Sequence, residues 1–157
     1  MWATKGHVQR VGVKMIFIIW TTAILAICTY TDLKGKYIYT WICGFNCLAA
    51  ILIHSILRDI PIRNIALGIL IGVVAFIVSV LTKDRFGRGD AWMVVTIGTI
   101  EGGMFLIPVF IWTFILFNIY AISGIGLKFF NIKSKLPLAP FALLGNVIVA
   151  VLAGGKI

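Results

Sequence analysis

The sequence predicts an all-α fold: a polytopic membrane helix bundle of about six transmembrane helices, forming one domain over residues 1–157. Three observations carry that expectation. Hydrophobic residues make up 61% of the 157-residue chain and charged residues only 12%, against about 25% charged in a soluble domain. Mean hydropathy is +1.09. The 14 basic and 5 acidic residues are gathered between long apolar runs, several of them near the roughly 20 residues that a helix needs to cross hydrocarbon. A water-soluble globule is excluded, because too few polar residues exist to cover its outside.

The runs follow in order. The first, 13–31, is preceded by Lys5, Arg10 and Lys14 and stops at Asp32-Leu33-Lys34-Gly35-Lys36. Its basic start is like that of a signal peptide, but its length and the lack of an A-x-A end predict a retained span. The second, 38–57, ends before Asp59 and Pro61, and the third, 62–82, carries Gly68-Ile-Leu-Ile-Gly72. That spacing of small residues, repeated at Gly98-Thr-Ile-Glu-Gly102, predicts close helix packing inside one bundle. The fourth run, 91–101, is short and closes on Gly102-Gly103, so it reads as a short span or as half of a broken one. The fifth is 104–123. The sixth, 138–154, opens within Pro137-Leu138-Ala139-Pro140-Phe141, where proline is at home because the first helical turn has N–H groups to spare.

Net charge is +9, but the basic residues sit in short loops, so they predict contacts to anionic lipid and mark topology; no nucleic acid is expected as a partner. With six spans, the loops containing Lys34/Lys36, Lys83/Arg85/Arg88 and Lys128/Lys133/Lys135 share one side and hold eight basic residues, against six on the other. The eight mark the cytoplasmic side. Parity is the firmer result: Asp32, Asp90 and the Pro137–Phe141 segment all reach the same membrane face. Cys28, Cys43 and Cys47 lie inside apolar runs and read as small buried hydrophobes, not as a disulfide framework or a zinc cluster.

The five acids are Asp32, Asp59, Asp84, Asp90 and Glu101. Asp59 lies between Arg58 and Arg63, and Asp84 between Lys83 and Arg85; both read as solvated loop charges. Glu101, next to two glycines, reads as a loop or interface acid. His54 has no acid one helical turn away and reads as a hydrogen-bonded span residue. Asp32 closes the first run and Asp90 opens the fourth, at depths where carboxylates are costly and usually face a polar cavity or serve a function. Each could also be a helix-boundary residue, and Asp90 could cap a helix. The segment Gly87-Arg88-Gly89-Asp90 favours more than that. Its glycines permit positive φ or close approach to another chain, so it is expected as a loop able to admit an extended peptide.

Two carboxylates at close range cannot both ionise cheaply, so one can act as general acid while the other activates water as general base. That allows peptide hydrolysis without metal or cofactor, and neither is expected. No H-E-x-x-H, G-x-S-x-G or Walker-type segment occurs in the sequence, which leaves the aspartyl pair as the most credible hydrolytic set.

An aspartate closing the first span and followed by lysines, a G-x-G-D before a later span, and P-x-x-P-F opening the last span resemble the type IV prepilin peptidases and archaeal preflagellin peptidases. The resemblance runs from about Thr29 to Gly145. It implies a single membrane-embedded peptidase domain, multi-pass in the plasma (inner) membrane. It further implies that Asp32 and Asp90 cut the short basic leader from pilin-like precursors at the cytoplasmic face, in the service of pilus assembly or secretion. Gly87, Gly89, Lys34, Pro137 and Pro140 would then shape the site or touch substrate. Trp92 stands where the family commonly has lysine, and Ile38-Tyr39-Thr40 where it has an Ile-Pro-Asn-like segment. The loop from Leu33 to Tyr37 is too short for the cysteine-rich insert of long members, so methylation of the trimmed product is not expected. A small proton-coupled transporter or ion-conducting bundle, and a non-enzymatic pilus-assembly protein, are the competing readings.

Overall fold

Each apolar run becomes a helix, because in lipid a backbone N–H or C=O left without a partner costs several kcal/mol and a helix pairs them within one segment. A computed structural model describes residues 2–35, 38–57, 60–82, 87–126 and 137–154. The charged loop residues Lys36, Arg58, Asp59, Lys83, Asp84, Arg85, Lys128, Lys133 and Lys135 lie outside the described residues, and so does Lys156.

The elements are α1 (Trp2–Gly35), α2 (Thr40–Leu57), α3 (Ile62–Leu81), α4 (Arg88–Glu101), α5 (Gly103–Gly126) and α6 (Ala139–Gly154). No strand occurs among the described residues. Lys14–Gly35 of α1, α2, α3 and Gly103–Gly124 of α5 are long and apolar enough to cross a membrane, and Ala139–Ala153 is a shorter apolar helix. With 14 residues, α4 rises only about 21 Å. It compensates by being central: it packs against α1, α2, α3 and α5. Ala91, Met93, Val94, Thr96, Ile97, Gly98, Thr99 and Ile100 bury most of its circumference, while α2 and α3 turn Phe45, Leu48, Leu52, Leu70 and Ile77 outward, as expected of faces toward lipid.

The glycine spacings do the packing predicted for them. A Cβ on Gly98 would lie 2.7 Å from the Gly68 carbonyl oxygen, and one on Gly72 would lie 2.8 Å from the Val95 Cα. Backbones of α3 and α4 therefore touch along an antiparallel seam, with Phe76 edge-on to Trp92 at 6.5 Å further along it. Trp92 thus packs within the bundle.

Between α4 and α5 stands one residue, Gly102, at φ 83° and ψ 162°. Asn64 closes the junction, its Oδ1 accepting the Met104 N–H at 2.8 Å, and its amide occupies the place a Gly102 side chain would need. Gly102→Ala is expected to destabilise the protein by about 1–3 kcal/mol, since that backbone region is almost closed to residues with a Cβ. A thermal melt in detergent measures it; an unchanged midpoint would show the turn to be relaxed.

Candidate active site

Hydrogen bonding at one end of the bundle joins two distant parts of the sequence, the end of α1 and the start of α6. Asp32 lies in the last turn of α1 and is buried, at 8% exposure. Its Oδ2 accepts the Ala139 N–H at 3.2 Å, and the Leu138 N–H points to the same carboxylate. These are amides of the α6 N-terminus, which lack helical partners and carry the positive end of the helix dipole. Pro137 and Pro140 flank them, which leaves the Leu138 and Ala139 amides as the donors at this end.

Asp90 occupies the first turn of α4. The Gly87 N–H donates to its carboxylate, the reach-back of a capping box from the third helical residue to the cap. A Cβ on Gly87 would lie 2.8 Å from the Asp90 Oδ2, so glycine there spares the carboxylate a shift. Gly89 is required by closer packing: its Cβ would lie 2.8 Å from that of Ile38, in the connection between α1 and α2. The expectation of an open loop is corrected here. Arg88, Gly89 and Asp90 are helical, and Gly87 has φ −61°, because the carboxylate-to-amide bond closes the turn and starts the helix early. Of the two uses open to these glycines, close approach is the one realised.

The two acids come from adjacent antiparallel helices, α1 and α4, which a hydrogen bond also joins further along. The Thr21 hydroxyl on α1 donates to the Glu101 Oε1 at the end of α4, at 2.9 Å. From Thr21 to Asp32 is 11 residues, and from Glu101 back to Asp90 is also 11. Eleven residues make about three turns and about 16 Å, with only about 20° of drift. If Thr21 faces Glu101, then Asp32 faces Asp90 at the same height. Consistent with that, the two carboxylates lie within electrostatic reach of each other.

The other predicted residues take simpler places. Lys34 is exposed on α1 and its Nζ meets the Tyr30 hydroxyl at 3.3 Å, along its own helix. Beneath the acids the three thiols are free and buried, with Cys47 donating to the Thr96 Oγ1 at 3.6 Å. His54 is buried, its Nε2 3.0 Å from the Ile100 carbonyl oxygen and its ring 4.7 Å from Phe17. Sequence reasoning missed Thr21 and Glu101 as a pair. Their matching offset from the two aspartates was the available signal, but nothing in the sequence says which helices adjoin.

Fold and site together define a helical membrane protein with two carboxylates, Asp32 and Asp90, within electrostatic reach of each other at one end of its bundle. The model of the type IV leader peptidase family matches residues 18–122, which contain both aspartates and both glycines of G-x-G-D. The chain belongs to that family of peptidases; the α6 segment that holds Asp32 lies beyond the matched residues. No curated protein and no solved structure matches the chain.

Proposed function

We propose that the protein is an aspartyl endopeptidase that removes the short basic leader from pilin-like precursors, with Asp32 and Asp90 as its catalytic pair and its site at the cytoplasmic face of the membrane. The observation that carries this reading is the shared 11-residue offset of the two acids from the Thr21–Glu101 hydrogen bond, which supports a pair facing each other across α1 and α4.

In the proposed reaction one carboxylate takes a proton from water as its oxygen attacks the scissile carbonyl carbon. The partner carboxyl gives a proton to the carbonyl oxygen. Collapse of the tetrahedral species then breaks the C–N bond, with the amine nitrogen protonated as it leaves. Gly87 leaves room for the Asp90 carboxylate and Gly89 lets Ile38 pack against the start of α4, Pro137 and Pro140 fix the segment that holds Asp32, and Lys34 stands at the rim toward lipid and substrate.

Co-expression with a pilin-like precursor tests the proposal. Leader removal is expected with the native chain and none with Asp32→Ala or Asp90→Ala, read as a mobility shift of the precursor. Intact cleavage in both variants would end the proposal, and proton flux into liposomes abolished by Asp90→Asn, without cleavage, would favour a transporter instead.

A further inference from the structure

We propose that Thr21 and Glu101 are positioning residues: a register pin three helical turns from the aspartates that sets the rotation of α1 against α4 and so aims Asp32 at Asp90. The inference rests on the peptidase reading only for its consequence in catalysis; the pin itself is a statement about geometry.

The residues that α1 buries around the pin are Phe17, Ile24, Leu25 and Cys28, and α4 offers Met93, Val94, Ile97 and Ile100. In a membrane such contacts discriminate little between rotational settings, because lipid tails are as apolar as these side chains. A one-residue change of setting rotates a helix by about 100°, enough to swing Asp32 away from α4. A polar bond is different. Breaking the Thr21–Glu101 bond leaves a hydroxyl that is 1% exposed and a carboxylate at the bundle wall with no replacement partner in lipid, which makes one setting preferred. A buried polar group that fixes register without adding much stability is a well-attested use of such groups.

Further polar contacts anchor both helices at the level of the pin, so that it acts as a fixed point. On α4, Ile100 is held by His54, and the next turn is stopped by Gly102 and Asn64. On α1, neighbouring Thr22 receives the Asn146 amide at 2.9 Å, and Trp20 donates to the Asn46 Oδ1 at 2.9 Å. From that collar the two helices run three turns to the acids.

The test is a crosslink. Asp32→Cys and Asp90→Cys are introduced together in a full-length chain carrying Cys28→Ala, Cys43→Ala and Cys47→Ala, and oxidation by copper phenanthroline in membranes is followed over time. A crosslink is expected to form, and to slow by about tenfold or more on Thr21→Val or Glu101→Leu, the loss of one buried hydrogen bond. Thr21→Ser and Glu101→Gln keep a donor and an acceptor and are expected to restore it; Thr21→Ala is the milder loss if valine prevents insertion. In the native-cysteine chain, Thr21→Val is expected to lower kcat about tenfold with KM within about twofold, the pattern of lost alignment. No crosslink in the parent pair, or equal rates with and without the pin, would overturn the proposal. A pin-dependent crosslink in a protein whose aspartates prove dispensable for cleavage would leave the pin standing and remove the peptidase reading alone.

Discussion

Asp32→Asn is expected to lower leader cleavage by about 10³-fold or more while the protein inserts, folds and melts as before, on the scale at which general acid–base groups act. The asparagine Oδ1 can still accept the Ala139 N–H that the carboxylate accepts at 3.2 Å, so the tie between α1 and α6 survives. What disappears is the capacity to exchange a proton. Asp90→Asn follows the same logic, since its amide oxygen can still accept the Gly87 N–H. The double variant is expected to be scarcely worse than either single one, because two groups that act on one proton fail as a unit. Initial cleavage rates of a precursor in proteoliposomes measure all three. A single asparagine variant within about tenfold of the native rate would remove that residue from the chemistry, and additive losses would argue against a shared proton.

The bundle was legible wherever lipid imposes a rule and illegible wherever a distant partner decides. Apolar runs at 38–57, 62–82 and 104–123 correspond to α2, α3 and α5 within three residues at each end, because a segment in hydrocarbon must satisfy its own backbone. Parity alone brought Asp32, Asp90 and Ala139 to one face. The rest depended on contacts between remote positions. Gly87–Asp90 reads as a loop because its two glycines permit positive φ or close approach; that Asp90 could cap a helix is legible too, but not that the Gly87 amide is the donor it takes. Glu101 read as an interface acid because its partner, Thr21, lies 80 residues away. Gly102 and Gly103 read as a break, yet the need for glycine comes at Gly102 from its φ of 83° and at Gly103 from Leu67 and the Gly68 amide on another helix. Local rules fix helices, and nonlocal side-chain contacts fix their phase.

The second large effect concerns the seam beneath the acids and involves no chemistry. Gly98→Val is expected to unfold or severely destabilise the protein, by about 3 kcal/mol or more, and to abolish cleavage with both aspartates intact. A Cβ at Gly98 would meet the Gly68 oxygen at 2.7 Å and the Gly68 carbonyl carbon and Cα at 2.8 Å. All three are backbone atoms, so no rotamer change relieves the clash. Only separation of α3 from α4 does, which would also pull Val95 from Gly72 and Trp92 from Phe76. Because α4 carries Asp90 and α1 carries Asp32, moving α4 as a body breaks their alignment even where folding survives. The comparison that isolates this cause is Gly44→Ala on α2, where an added Cβ meets nothing within 4 Å. There the gain in helix propensity is expected to stabilise by about 0.5–1 kcal/mol. Thermal melts of the two variants in one detergent should therefore move in opposite directions. If Gly98→Val melts with the native protein, α3 and α4 are not in backbone contact.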